Sequence, residues 1–154
     1  MEVRNEKESF FTIILSMLLL AIGQAAFGAE IKKLEYFGVG AVVTEQENQH
    51  FKVQTEGEKT EEGFVYTPSE LTSTTVHYKI SLKGEGQVLL KIEETDARGT
   101  FLSEVQSEPV MLTADWKEYD LKTDVKSTES QIDVFVLTKD KQATTFHFKD
   151  LVIK

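Results

Sequence analysis

Strict period-two alternation is the feature that most constrains this chain. Thr75 to Leu82 reads T-V-H-Y-K-I-S-L, with Val76, Tyr78, Ile80 and Leu82 on one side and His77, Lys79 and Ser81 on the other. Such a pattern describes a strand with one face against a core. It recurs where Val88, Leu90 and Ile92 alternate with Leu89, Lys91 and Glu93, and where Ile132, Val134 and Val136 alternate with Asp133, Phe135 and Leu137. Phe146 and Phe148 share a face opposite His147. Shorter strands are expected in IKKLEYF (Ile31–Phe37), HFKVQTE (His50–Glu56), EGFVYTP (Glu62–Pro68), Val110–Leu112 and Trp116–Leu121. Turns are expected at Lys83–Gly86, Asp96–Gly99 and Lys139–Lys141. About nine or ten strands at roughly 8–15-residue spacing predict an all-β sandwich of two antiparallel sheets. The two prolines, Pro68 and Pro109, fall at strand margins, where a missing N–H is tolerated.

The N-terminus follows a different pattern. Phe10–Ile22 (FFTIILSMLLLAI) is uncharged, and small residues follow in GQAAFGAE. Ala26-Phe27-Gly28 fits the small-x-small rule for signal peptidase, and Gly23-Gln24-Ala25 is a near alternative. Residues 1–28 therefore read as a secretory signal peptide and 29–154 as a single β-sandwich domain, placed outside the cell. The apolar run is short for a membrane span of roughly 20 residues. An uncleaved anchor would leave the remainder exported all the same.

The chain of 154 residues carries a formal charge of −9, and losing the three acids and two bases of the leader leaves −8. That balance argues against nucleic acid, an anionic membrane surface, teichoic acids and heparin-like chains, which select basic patches. There is no cysteine, so burial rather than disulfides must hold an exported fold. The same lack removes a cysteine nucleophile and a lipid anchor. No G-x-S-x-G elbow occurs, and His50, His77 and His147 lack the spacing of a metal site. His77 and His147 are expected side by side on the solvated surface. Glu61-Glu62 and Glu93-Glu94 read as solvated carboxylates rather than a glycosidase pair. No enzyme emerges.

The order of segments resembles a known family. TVHYKISLKGEG, VLLKIEETDARG, LTADWKEYDL, QIDVFVLT and TTFHFKDLVI, in that order, resemble the jelly-roll carbohydrate-binding modules with a galactose-binding-domain-like fold. The likeness covers Thr75–Lys154 well and Ile31–Thr74 loosely. It implies a jelly roll in which Trp116 starts a strand and packs into the sandwich; the neighbouring Tyr119 and Leu121 suggest the same core role. It implies a ligand on the outward face of the sheet containing Val88–Glu94 and Gln131–Leu137. The candidate binding residues there are Phe135, to stack on a sugar, Asp133, Lys91 and Glu93, to bond hydroxyls, and Leu89 and Leu137 beside them. Tyr66 and Phe64 are expected to approach the same face. Phe135 is either such a platform or a satellite core residue beneath a loop. No cofactor is expected beyond the structural calcium common in such modules. Asp150 aligns with one ligand position, but Lys149 replaces its acidic neighbour and no acid follows Phe37. The expected function is non-catalytic recognition of a neutral saccharide. The alternatives are an exported protein–protein interaction domain without a sugar site, contacting a surface protein, and an enzyme accessory or inhibitor domain.

Overall fold

The computed structural model describes residues 35–154; the leader and its expected processing site lie outside them. The strands are β1 (Tyr36–Val39), β2 (Ala41–Glu45), β3 (Phe51–Thr55), β4 (Gly63–Tyr66), β5 (Thr75–Gly84), β6 (Gln87–Thr95), β7 (Phe101–Gln106), β8 (Val110–Met111), β9 (Lys117–Asp124), β10 (Gln131–Thr138) and β11 (Thr145–Ile153). One sheet runs β1-β4-β10-β6-β7, with β8 also pairing β6, and the other runs β2-β3-β11-β5-β9. Every ladder is antiparallel. The fold is an all-β sandwich, as the alternation predicts, and a jelly roll, as the resemblance implies.

The inward row of each long strand is the one read from the sequence. Val76, Tyr78, Ile80 and Leu82 from β5 meet Val88, Leu90 and Ile92 from β6, Ile132, Val134 and Val136 from β10, and Phe146 and Phe148 from β11, all buried. Phe64 of the first sheet stacks on Phe148 of the second, 4.0 Å apart and within 14° of parallel. Phe51 and Tyr36 pack on Phe148 at 4.9 Å each. Leu151 and Ile153 also face the core, one residue out of phase with Phe146 and Phe148. A bulge between Lys149 and Val152 makes the shift, with Asp150 in the left-handed region at φ 51°. An aspartate tolerates that conformation, and one extra residue reverses the alternation beyond it.

Two strands escape the sequence pattern. β2 follows β1 after one residue, Gly40, whose φ of 57° lets the chain leave one sheet and enter the other. β7 has weak alternation because a register shift separates the Glu94–Ser103 and Thr95–Phe101 pairs.

Two glutamates read as solvated lie inside. Glu62 is 2% exposed and accepts the amides of Glu56 (3.0 Å), Gly57 (2.7 Å) and Lys59 (2.7 Å), fixing the loop between β3 and β4. The Lys59 amide lowers its pKa most, burial opposes this, and the other amides lower it further, below the usual 4.5. Glu94, also 2% exposed, accepts from Ser130 Oγ (2.7 Å), the Lys126 amide (2.8 Å) and Ser103 Oγ (3.0 Å). Burial pushes its pKa up, but Ser130, the Lys126 amide and Ser103 together bring it below 4.5.

Three outcomes follow. Phe148→Ala is expected to cost about 3–5 kcal/mol by denaturant unfolding. Tyr78→Phe removes a buried hydroxyl with no partner and should be neutral or stabilising by about 1 kcal/mol. A Tyr78→Phe protein markedly weaker than wild type would show that the hydroxyl is satisfied. Glu62 and Glu94 bind protons less readily folded than unfolded. Their contribution is complete above the unfolded value of 4.5 and lost as pH falls through the lower folded values. The melting temperature should fall between about pH 5 and pH 3, less steeply in Glu62→Gln and Glu94→Gln. A level curve in the wild type would contradict these assignments.

Candidate functional site

On the outer face of the first sheet the register sets residues in rows. Phe37 of β1 lies opposite Val65 of β4, Val65 opposite Phe135 of β10, Phe135 opposite Lys91 of β6, and Lys91 opposite Gln106 of β7. Phe37 is 55% exposed and Phe135 half-buried. Their strands are two apart, so roughly 10 Å separates them at the usual strand spacing. The next row sets Asp133 opposite Glu93 and Glu93 opposite Glu104. Thr67, just past β4, donates its hydroxyl to the Asp133 carboxylate. The face thus joins an apolar stripe to a line of acceptors, a pairing that suits sugar C–H surfaces and hydroxyls.

The expected site is only partly assembled there. Asp133, Glu93 and Phe135 share the face. Tyr66 does not: it pairs with Val134 on the inward side, its ring 5.3 Å from Tyr36. Phe64 faces inward as well and is fully buried. Leu89 is 6% exposed and Leu137 1%, so that end of the face is withdrawn from solvent and neither offers a contact surface. Lys91 is 8% exposed. Its ammonium stands 4.7 Å from the centre of the Phe135 ring, with Glu61 at 3.8 Å and Glu93 at 3.9 Å. It therefore braces Phe135 rather than presenting a free donor. Sequence reasoning missed Phe37, whose parity opposite Tyr36 was visible but whose alignment with Phe135 depends on the β1–β4–β10 register.

Trp116 is not a core plug. It is half-buried, outside the apolar cluster, on the outer face of the second sheet. Lys83 and Lys149 place their ammonium groups 4.8 Å and 4.9 Å from its ring centre, and the His50 ring is 6.1 Å away. Tyr119 and Leu121 do pack on the core. Trp116 differs from them by an odd number of residues, so alternation sends it outward. The histidines are arranged differently too. His77 pairs with Asp120 at 3.0 Å, whereas His147 sits opposite Lys83 and Lys52, its ring 5.5 Å from His50.

The residues aligned with a calcium site do not fit one. Asp150 occupies the bulge with Lys149 at 3.7 Å, and a Cβ added at Gly38 would lie 2.0 Å from the Ala41 carbonyl oxygen. Among the described residues no group of three or more His, Asp or Glu is placed to hold a metal ion.

The architecture defines a jelly-roll β-sandwich, and solved structures similar to it include carbohydrate-binding modules, an α-L-arabinofuranosidase and a bacteriophage tailspike protein. A Clostridium thermocellum endo-1,4-β-D-xylanase structure containing CBM22-1 and GH10 modules, complexed with xylohexaose, superposes with TM-score 0.64 and 15% identity over 78% of this chain and 26% of that one. A point mutant of the module CBM29-2, complexed with cellulohexaose, gives 0.57 and 13% over 77% of each chain. A family 4 module gives 0.56 and 12% over 78% of this chain and 94% of that one. The chain spans about a quarter of the xylanase chain and 23% of an arabinose-bound α-L-arabinofuranosidase. By sequence, no family model and no curated protein matches.

Because Trp116 lies outside the core, Trp116→Ala should stay folded by circular dichroism and lose about 1 kcal/mol or less, the scale of a surface cation–π contact. An unfolded variant would return the indole to the core.

Proposed function

We propose that this is an exported sugar-binding module without catalytic activity, which takes a neutral oligo- or polysaccharide across the outer face of the first sheet. The observation that carries this is the Phe37–Val65–Phe135 stripe beside Thr67, Asp133, Glu93 and Glu104. Phe37 supplies the accessible ring, and Phe135, held upright by Lys91, closes the stripe. Asp133, Glu93 and Glu104 accept hydroxyl hydrogen bonds, with Gln106 at the end of the row. The carbohydrate-binding modules of the same fold support this reading, one of them complexed with cellulohexaose. The leader read from the sequence supports export.

Binding rather than hydrolysis suits this surface. A glycosidase encloses the scissile bond between two carboxyl groups, one of them kept protonated. Here the acids lie along an open sheet face, and Asp133 is engaged by Thr67.

The test is a neutral-glycan array with insoluble-polysaccharide pull-down, comparing wild type with Phe37→Ala. That substitution removes an exposed ring and should leave the fold intact while weakening binding by roughly tenfold, a stacking contribution of order 1–2 kcal/mol. Equal retention by both proteins, or by neither, would overturn the assignment of this face.

A further inference from the structure

The outer face of the second sheet contains a charge arrangement that the fold does not need. Lys52 of β3, His147 of β11 and Lys83 of β5 form one cross-strand row, His147 having a lysine directly opposite on either side. The two lysines therefore flank one imidazole, with their strands roughly 10 Å apart at the usual spacing. Other cations on this face have carboxylates beside them, Lys122 opposite His77 excepted. Lys79 meets Glu118 at 2.8 Å, His77 meets Asp120 at 3.0 Å, and Lys149 has Asp150 at 3.7 Å. Among the described residues, no carboxylate lies within ion-pair distance of Lys52 or Lys83.

The surroundings point to a ligand. Lys52, Lys83, His147, Lys149, His50 and Trp116 are all half-buried, so these charges sit where they interact more strongly than freely hydrated ones. His147 Nδ1 is buried without a partner. Burial first, then His50, Lys83 and Lys52, holds this imidazole below its usual pKa, so the ring favours its neutral form between the two lysines. A shallow depression of about 620 Å³ opens beside the row, lined by Lys83, His147, Gln54, Thr144, Thr145 and Glu85 among others. Gln54 and Thr145 are opposite neighbours in the adjacent row, and their side chains have no partner among the described residues. Glu85 is the one carboxylate along this rim.

We propose that the Lys52–His147–Lys83 row, with Lys149 and Trp116, is a second binding surface, which takes the anionic groups of an acidic polysaccharide. The anionic groups would lie along the cationic row, and the sugar hydroxyls would meet Gln54 and Thr145 in the depression. An anion there meets two ammonium groups that no carboxylate among the described residues neutralises, which an uncharged glycan cannot do. This surface lies on the opposite side of the sandwich from the neutral-glycan face and does not depend on it.

Trp116 is the only tryptophan, so its emission reports occupancy between Lys83 and Lys149 directly. The experiment titrates the exported protein at low salt with polygalacturonate, dextran sulfate, uncharged dextran and poly-L-glutamate. The expected result is a saturable change with polygalacturonate or dextran sulfate, fading as salt is raised, and none with dextran. A response to one of the two alone identifies carboxylate or sulfate as the favoured group. In Lys52→Gln/Lys83→Gln, checked for fold by circular dichroism, the midpoint should move up by roughly tenfold. In Phe37→Ala it should not move, which keeps this result separate from that of the neutral-glycan face. No saturable response to either polysaccharide, an unchanged midpoint in the double variant, or an equal response to poly-L-glutamate would overturn the proposal.

Discussion

The contact on which the rest of the molecule depends is the stack of Phe64 on Phe148, 4.0 Å apart, one ring from each sheet. With no cysteine in the chain, nothing covalent ties the sheets together. Face-to-face burial supplies the attraction, but it is non-directional and does not by itself choose how the sheets connect. Directional polar groups settle the connections. Glu62 fixes the loop from β3 to β4, and Glu94 reaches from β6 to fix the loop from β9 to β10. Gln142 exchanges two hydrogen bonds with the Gln87 backbone, at 3.0 and 3.1 Å, and so binds the β10–β11 passage to the start of β6. Each of these side chains satisfies backbone groups that would otherwise be stranded where the chain changes sheets. They provide the specificity that disulfides give many exported domains, at the cost of acid sensitivity in the two glutamates.

Alternation in the sequence was enough to reveal the long strands and their inward rows, because a one-residue slip would expose a whole row of Val, Ile and Phe. It did not reveal what becomes of the outward residues. Leu89, Lys91 and Leu137 have the correct parity for a surface, yet they are buried, since the covering that withdraws them is a tertiary feature. Tyr66 and Phe64 were assigned outward although β4 pairs Tyr66 with Val134 and Phe64 with Val136, both inward. The register that settles this is long-range. Trp116 was misplaced for a local reason: grouping it with Tyr119 and Leu121 ignored the odd spacing between them. Asp150 could be read only as a candidate calcium ligand, because a bulge changes parity without leaving a composition signal.

The two outer faces contain rows of opposite sign. Asp133, Glu93 and Glu104 line one, and Lys52, His147 and Lys83 line the other. On the acidic side the repulsion is partly relieved from within the fold. Lys91 is drawn 3.9 Å from Glu93 and 3.8 Å from Glu61, and Thr67 donates to Asp133. The residue that relieves the charge also fixes the Phe135 ring, so electrostatics and the apolar stripe are built by one side chain. On the basic side no carboxylate among the described residues plays that part for Lys52 or Lys83, and Lys83 meets the Trp116 ring instead.

A formal charge of −9 suggests that anions should avoid this protein, and over long distances in low salt they would. A bound group responds to a shorter range. At physiological ionic strength exposed charges are screened over about 8 Å, while facing sheets are about 10 Å apart before their outward side chains are added. An anion resting on Lys52, His147 and Lys83 lies about 5 Å from each neighbour in the row and beyond the screening length of the acids on the far face. The sandwich thus keeps two surfaces of opposite character apart by its own thickness. What each can bind is decided by the row beneath the ligand rather than by the sum over the chain.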